Sequence, residues 1–307
     1  MSTAFASPRN STVVLNTSLH ALLRAYFGTL SRVLPGLAVR QAERLFTRPP
    51  RYAGRRSVTV AARRDTVSAD GREIAVWQAG PADAPAVLLA HGWGGRAVQM
   101  GSFVEPLLAR GHRVVWYDQP GHGASGGGSV ALPDMLRALE AVVRTHGPFS
   151  AAVGHSLGAG VLALALRRGL VLERAVFVAP PASMNEYAHH FARLLGISAR
   201  VREAMRERLE RRYGLRFADI DRSEELAQVR IPALFVHDAA DPDVPFEHSQ
   251  RLTARMPTAR LIRTWGLGHH RILRDPGVVS AAAAFIGGRE HALPAELPRL
   301  PEPAPLY

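Results

Sequence analysis

Short apolar runs alternate along the middle of the chain with longer segments whose apolar residues recur every three or four positions. Such runs are typical of strands buried on both faces of a sheet, and the longer spacing is typical of helices packed on it. The predicted strands are 57–61, 73–77, 86–90, 113–117, 151–154, 174–178, 233–236 and 260–263. The predicted helices are 97–109, 133–145, 159–168, 246–255 and 276–285. This alternation predicts an α/β protein with a mostly parallel sheet between helices.

Three segments lie outside this alternation. Polar helical patterns at 183–228 predict a cap inserted after the strand 174–178, and an apolar helical pattern at 12–47, broken at Pro35-Gly36, predicts an N-terminal arm. Five prolines between Leu293 and Pro305 predict a loose tail. The predicted organisation is an N-terminal helical arm at 1–50, an α/β domain at 51–290 with the cap at about 183–228, and a Pro-rich tail at 291–307.

The arm allows two interpretations because it carries arginines on an amphipathic pattern. Such a helix can lie on a membrane, or it can dock on the α/β core. We favour docking, and peripheral membrane contact through residues 12–47 is the alternative. The chain has no uncharged apolar run of about 18 residues, and residues 1–10 lack a signal-peptide pattern, so we expect a cytoplasmic protein without a transmembrane helix.

Composition narrows the possible chemistry. The net charge is +12, and all 38 basic residues are arginine. Because these arginines are scattered and no nucleic-acid motif accompanies them, we expect no nucleic-acid partner. The absence of cysteine excludes disulfides, thiolate catalysis and cysteine-ligated metal. We expect neither a cofactor nor a metal, and the oligomeric state is not predicted.

The most informative motif is Gly154-His155-Ser156-Leu157-Gly158, which joins a predicted strand to a predicted helix. A serine at such a turn has a strained backbone and an exposed hydroxyl. The flanking glycines let the strand and the helix approach without a Cβ clash. Ser156 is therefore the candidate nucleophile.

A serine nucleophile needs a general base and an acid that orients this base. The segment 266–270, Gly-Leu-Gly-His-His, follows the last predicted strand and offers His269 as the favoured base and His270 as its competitor. The loop after the strand 233–236 offers three aspartates. Asp241 lies in mid-loop and is favoured as the acid, whereas Asp238 more plausibly organises the loop and Asp243 serves a turn or cap.

An oxyanion hole is expected from two backbone N–H groups, one of the residue after the nucleophile and one from the loop after the strand 86–90. These are Leu157 and, within the run His91-Gly92-Trp93-Gly94-Gly95, Trp93. No Gly-Lys-Ser/Thr follows the glycines, which excludes a P-loop. His91 is expected to brace the loop, and residues 118–125 are interpreted as a tight turn without a catalytic role.

These motifs occur in one order along the chain: H-G-W-G-G, D-x-P-G-H-G-x-S, G-H-S-L-G, D-x-x-D-x-D-V-P and G-x-G-H. Over roughly 59–287 the sequence resembles the α/β-hydrolase superfamily, in particular cap-bearing serine esterases and lipases. The resemblance implies an α/β-hydrolase fold, a mostly parallel eight-stranded sheet whose first two strands form an antiparallel edge. It also implies the order Ser…Asp…His for Ser156, Asp241 and His269.

The resulting functional hypothesis is a serine hydrolase that cleaves a small-molecule carboxylic ester through an acyl-enzyme. The alternatives on the same residues are a thioesterase, an acyltransferase, a carbon–carbon hydrolase or a perhydrolase, because the fold does not choose among these reactions. A non-catalytic binding protein on a hydrolase fold is a further alternative. The sequence predicts neither the natural substrate nor its acyl chain length.

Overall fold

The structure is a computed structural model that describes residues 17–50, 58, 60–289 and 293–297, with side chains described from residue 20 onward. Its strands are β1 (Arg63–Ala69), β2 (Arg72–Ala79), β3 (Ala86–Ala90), β4 (Arg113–Tyr117), β5 (Ala151–His155), β6 (Arg174–Val178), β7 (Ala233–Asp238) and β8 (Ala259–Thr264). They form one sheet in the order β1-β2-β4-β3-β5-β6-β7-β8. β2 pairs antiparallel with β1 and with β4, and the remaining pairs are parallel. This topology confirms the predicted α/β-hydrolase fold.

The helices of the described residues are α1 (Thr17–Val33), α2 (Pro35–Thr47), α3 (Val104–Leu108), α4 (Leu132–His146), α5 (Leu157–Arg167), α6 (Met184–Leu195), α7 (Ala199–Tyr213), α8 (Phe217–Ile220), α9 (Glu247–Arg255), α10 (Gly268–Arg271) and α11 (Pro276–Ile286). Short 3-10 segments lie at Ala97–Phe103, Ser223–Gln228 and Ile272–Arg274. Helix α4 packs on α5, and α11 packs on α3. No described helix has the length and hydropathy needed to span a membrane.

The first strand lies closer to its turn than the sequence pattern predicted. We expected a strand at 57–61, but β1 is Arg63–Ala69, and 57 and 59 lie outside the described residues. Asp70 and Gly71 both have positive φ (50° and 71°), and Ala69 pairs with Arg72 across them. A two-residue turn of this kind fixes the pairing directly beside itself, so β1 runs back from Ala69 through polar residues.

The centre of the sheet explains the uninterrupted apolar runs. Every residue of β3 and of β5 is buried, as are four of the five residues in β4 and in β6. A parallel strand covered by helices on both sides has no face for polar residues. Burial of these side chains is the main stabilising contribution of the domain.

Part of the tail is ordered against the sheet edge. Residues 293–297 lie alongside β8, and Glu296 forms a parallel bridge with Arg263. The amide of Arg263 donates to the carbonyl oxygen of Ala295 at 3.0 Å, and the amide of Leu297 donates to the carbonyl oxygen of Arg263 at 3.0 Å. The prediction of a loose tail is therefore wrong for these five residues, whereas 298–307 lie outside the described residues.

The chain divides into two compact units. The smaller unit combines Met1–Phe46 with Glu186–Arg212, and its described part is built from α1, α2, most of α6 and most of α7. The larger unit contains Thr47–Asn185 and Tyr213–Tyr307, which include the whole sheet.

Contacts inside the smaller unit join the N-terminal helices to the helices inserted between β6 and β7. The ring of Phe46 packs edge-on against the ring of Phe191 with centroids 5.1 Å apart. Glu43 forms an ion pair with Arg208 at 2.8 Å. Within this unit α1 and α2 thus dock on α6 and α7, and docking of the arm on the α/β core stays a prediction.

Candidate active site

The elbow serine has a strained backbone, as expected for a strand-to-helix turn. Ser156 joins β5 to α5 with φ 51° and ψ −127°, a conformation that few residues other than glycine adopt. Its amide donates to the carbonyl oxygen of Val178 at 2.9 Å, which ties the turn to β6. The side chain is partly exposed, and among the described residues its Oγ has no hydrogen-bond partner.

The two glycines of the elbow are required by close backbone packing. A Cβ on Gly154 would lie 2.6 Å from the Cα of Ala159, and a Cβ on Gly158 would lie 2.4 Å from the carbonyl oxygen of His91. Real Cβ atoms do not approach other atoms this closely. Both positions therefore exclude every side chain, in agreement with the sequence interpretation of the motif.

The glycine-rich loop after β3 contacts the candidate nucleophile directly. A Cβ added to Gly92 would lie 2.7 Å from the Cβ of Ser156 and 3.2 Å from its Oγ. Trp93 follows Gly92, and Leu157 is the first residue of α5. The backbone N–H groups of Trp93 and Leu157 have no acceptor among the described residues. The first N–H groups of a helix lack intrahelical acceptors and point along its positive dipole end, which suits an anionic oxygen.

His269 and Asp241 are in hydrogen-bond contact. Nδ1 of His269 lies 2.7 Å from Oδ2 of Asp241, and neither side chain is appreciably exposed. Burial acts to raise the pKa of Asp241, but hydrogen bonds from His237, His269 and the Val244 amide outweigh it and hold the pKa well below its usual value. The carboxylate is therefore ionised and only accepts, so Nδ1 of His269 carries a proton and donates it to Asp241.

The three aspartates of the loop after β7 make different contacts. Asp238 accepts from the Thr264 hydroxyl and the Leu267 amide through Oδ2, both at 2.9 Å, which fixes the loop that leads to His269. Asp243 is exposed and lies 3.5 Å from Nε2 of the exposed His270. Of the three, Asp241 makes the hydrogen bond with His269.

Asp241 is held on its other side by backbone amides. Its Oδ1 accepts from the amides of Asp243 and Val244 at 2.8 and 2.9 Å. Nε2 of the fully buried His237 lies 3.4 Å from Oδ2 and 2.9 Å from the carbonyl oxygen of Val244. These contacts leave the carboxylate one orientation, with Oδ2 directed at His269.

Two buried histidines brace the loop that contains Trp93. Nε2 of His91 accepts from the amide of Gln119 at 2.9 Å, and Nδ1 lies 2.7 Å from the carbonyl oxygen of Gly92. Nε2 of His122 accepts from the amide of Gly94 at 3.0 Å. Burial lowers the pKa of His91 to about 4 and that of His122 to about 3, so both are neutral acceptors. His91 thus has the bracing role expected from the sequence.

The turn at 118–125 supports the same loop. Asp118 accepts from the amides of Ala97 and Ala124 at 2.6 and 2.7 Å, and burial raises its pKa. A Cβ on Gly123 would overlap the Asp118 carboxylate at 2.0 Å. The sequence interpretation of this motif as a tight turn without a catalytic role did not include this support of the Trp93 loop. His122 lies in the turn and accepts a hydrogen bond from the amide of Gly94.

His155 is a site residue that the sequence analysis did not single out. It precedes Ser156, is buried, and its Nε2 lies 2.9 Å from the carbonyl oxygen of His269. Burial and the neighbouring His269 hold its pKa well below the usual value, so the ring is neutral and Nε2–H donates to that carbonyl. The sequence carries one sign of this role, because His155 is a polar residue in an otherwise apolar strand.

One group of residues at the site has metal-ligand spacing. Single ligand atoms of Asp241, Asp243 and His269 all lie within 4.8 Å of one another. Because Oδ2 of Asp241 and Nδ1 of His269 bond to each other at 2.7 Å, a metal would have to displace that hydrogen bond. The described contacts are accounted for by hydrogen bonding alone.

Leu157 also lines an apolar cleft that runs along α5. Ala163 of α5, Pro181 after β6 and Leu252 of α9 contribute to its walls. Arg167 at the cleft is satisfied by Glu225 at 2.6 Å and by the carbonyl oxygen of Ile220 at 2.7 Å. The cleft therefore offers a chiefly apolar surface.

Comparison with known proteins identifies a relative by sequence. A protein of Variovorax paradoxus (strain S110) named "Putative carbamate hydrolase RutD" is 33% identical over 177 residues, which are 56% of this chain and 58% of that protein. The chain thus spans less than two thirds of that relative's length.

Solved structures show the same fold at low identity. An esterase of Pyrococcus furiosus, Pf2001, aligns with a TM-score of 0.62 and 18% identity over 80% of this chain and 97% of that one. A thioesterase domain from the curacin biosynthetic pathway aligns with a TM-score of 0.54 and 19% identity over 74% and 99%. The model of the alpha/beta hydrolase family matches residues 87–282. The chain is a member of the alpha/beta hydrolase family.

Proposed function

We propose that the protein is a serine hydrolase of small-molecule carboxylic esters, with Ser156 as nucleophile, His269 as general base and Asp241 as the acid that orients the base. The observation that carries the proposal is the 2.7 Å contact between His269 Nδ1 and Asp241 Oδ2. The contact occurs in a member of the alpha/beta hydrolase family. In this chain the residue at the elbow is a serine with positive φ.

In the proposed reaction, Ser156 Oγ attacks the ester carbonyl carbon while Nε2 of His269 takes its proton. Asp241 holds the ring in the tautomer with Nδ1 protonated and stabilises the imidazolium that forms. The C–O bond of the leaving alcohol breaks as His269 returns the proton to it. Water then attacks the acyl-enzyme with His269 again as base, and free acid and free Ser156 are released. The Ser–His hydrogen bond of such sites is often formed only with substrate bound.

The negative charge that develops on the carbonyl oxygen needs fixed donors. We assign this role to the backbone N–H groups of Leu157 and Trp93. Support comes from their free N–H groups among the described residues and from the close approach of Gly92 to Ser156. The buried His91 and His122 hold the loop of Trp93 in place.

The cleft beside Leu157 favours substrates with an apolar group. Its walls are mainly aliphatic, and Arg167 at its edge is already paired. Burial of apolar surface contributes about 0.8 kcal/mol for each methylene. We therefore expect kcat/KM to rise with the length of an unbranched acyl chain until the cleft is filled.

Carbamate cleavage is the second candidate, because the relative from Variovorax paradoxus carries that name. A carbamate has the same carbonyl electrophile, and the same three residues would form a carbamoyl-enzyme. A panel of nitrophenyl esters of graded length, a matched carbamate and a matched thioester tests the choice. The ester proposal predicts the highest kcat/KM for an ester; a carbamate or a thioester preferred at equal chain length would contradict it.

A further inference from the structure

Helix α1 has an apolar stripe that faces solvent. Leu22, Tyr26 and Val33 are 65%, 43% and 68% exposed, and with Thr29 they follow the spacing i, i+4, i+7 and i+11. This spacing places all four on one side of the helix. Leu34, 53% exposed, extends the stripe at its end. Single exposed apolar residues are ordinary, but a contiguous row marks an interaction surface.

The stripe is separate from the face that folds the helix. Phe27 and Ser31 lie on the opposite side of α1 and are buried, and the amide of Ser198 donates to the Ser31 hydroxyl at 3.4 Å. A surface helix needs only one apolar face to pack on its unit. The hydroxyl of Tyr26 donates to Oε1 of Gln41 on α2 at 2.7 Å, whereas the exposed side chains of Leu22, Val33 and Leu34 are apolar surface beyond the face that packs on this unit.

The two N-terminal helices carry a net positive charge. Helices α1 and α2 contain four arginines and a single acidic residue, Glu43, which is neutralised by Arg208 and Arg212 of the same unit. Arg40 and Arg44 are exposed one turn apart on α2. A partner for this surface must accept both apolar side chains and cations.

We propose that this surface, formed by Leu22, Tyr26, Val33 and Leu34 together with Arg40 and Arg44 of α2, binds the surface of an anionic lipid bilayer. Apolar side chains of an interfacial helix enter the boundary between headgroups and acyl chains, and arginines contact the anionic headgroups. A folded acidic protein would supply the charge, but it would not accept a long open row of aliphatic side chains as readily as lipid does. The inference does not depend on the reaction at Ser156.

Cosedimentation of the full-length protein with vesicles tests the proposal. Vesicles of phosphatidylcholine mixed with phosphatidylglycerol should bind the protein, and vesicles of phosphatidylcholine alone should bind it at least about tenfold more weakly. Leu22→Ser with Val33→Ser should lower partitioning onto the mixed vesicles by about tenfold or more. Arg40→Gln with Arg44→Gln should lower it by roughly thirtyfold, at about a factor of five for each arginine.

Val171→Ser is the matched control, because Val171 is 84% exposed and belongs to the larger unit. It should bind vesicles as the wild type does. Circular dichroism and thermal melting must be unchanged in all variants. Absence of wild-type binding to the mixed vesicles would overturn the proposal, as would equal losses in the control and the stripe variants. A dimer that dissociates when Leu22 and Val33 are replaced, without vesicle binding by the wild type, would assign the surface to self-association instead.

Discussion

Nε2 of His155 lies 2.9 Å from the backbone carbonyl oxygen of His269. The two rings are also stacked at a tilt, with centroids 4.7 Å apart. The residue before the candidate nucleophile thus holds the backbone of the candidate base. Because both histidines are buried, this hydrogen bond links the end of β5 with the loop after β8 without competition from water.

Removal of this hydrogen bond should lower the rate of the chemical step. His155→Leu leaves the carbonyl of His269 without its donor, and a misplacement of about 1 Å costs on the order of a hundredfold in rate. We expect kcat to fall by about ten- to a hundredfold while KM changes little. His155→Gln retains an N–H donor and should recover part of the loss. Equal kcat values for the wild type and the leucine variant, both folded, would contradict the positioning role.

Replacement of each of the three aspartates after β7 should have a different effect. Asp241→Asn removes the charge that fixes the His269 tautomer, and we expect kcat/KM to fall by about a thousandfold or more. Asp243→Asn should stay within about twofold, because its side chain is exposed. Asp238→Asn should lower the melting temperature, because the Asp238 carboxylate accepts hydrogen bonds from Thr264 and Leu267. A larger rate loss at Asp243 than at Asp241 would reverse the assignment.

Glycines of the elbow helix should respond differently to a methyl group. Gly158→Ala places a Cβ 2.4 Å from the His91 carbonyl oxygen and should destabilise the fold by about 1–3 kcal/mol. Gly160→Ala meets its nearest atom, of Pro181, at 3.5 Å, an ordinary contact. It should stabilise the helix by up to about 1 kcal/mol. Urea unfolding measures both, and equal free energies of unfolding for the two variants would refute the packing argument.

The free energy of unfolding should fall below about pH 6.5. The pKa of His91 is lowered by burial to about 4 and that of His122 to about 3, whereas both are about 6.5 in the unfolded chain. Between these values the unfolded state binds more protons, so stability is fully present above about pH 6.5 and is lost as the pH falls towards 4. Each histidine contributes a slope of up to about 1.4 kcal/mol per pH unit.

Urea titrations across this range measure that slope, and His91→Asn provides the comparison. The variant should be less stable than the wild type near neutral pH. Its free energy of unfolding should change less steeply with pH, because one of the two titrating histidines is missing. A wild-type free energy of unfolding that stays constant between about pH 6.5 and 4 would show that the buried rings are not neutral in the native state.

Most of the sheet was predictable from sequence because its central strands are buried on both faces. The run at 86–90 corresponds to β3 residue for residue, because all five residues are buried and no polar position blurs its ends. The edge strand β1 was misplaced, because only Val67 and Ala69 are buried in it. There the turn at Asp70-Gly71, and not hydrophobicity, determines the register.

The position of the candidate site could be predicted from the sequence, because most of its residues lie in loops that directly follow strands. Parallel strands end at one edge of the sheet, so motifs after β3, β5, β7 and β8 must meet there. The contacts of His155 and His122 were not predictable in this way. Both reach across to another loop, and such contacts depend on three-dimensional proximity between residues distant in sequence.

The tail and the arm were harder to predict for a similar reason. Residues 293–297 pair with β8 through backbone hydrogen bonds, and an ion pair between Glu296 and Arg263 at 3.4 Å supports the pairing. Backbone hydrogen bonds do not require a particular side-chain pattern, so the sequence gives little sign of them. The ion pair between Glu43 and Arg208 joins residues far apart in the chain, and neither residue distinguishes one docking surface from another in sequence.

Covalent labelling at Ser156 tests the central claim most directly. The protein is treated with a fluorophosphonate, and mass spectrometry of the intact chain and of its peptides locates the adduct. The account predicts one adduct, on Ser156, which is absent from a folded Ser156→Ala variant whose ester turnover has dropped by at least about a thousandfold. An adduct on another residue, or wild-type turnover by Ser156→Ala, would contradict it.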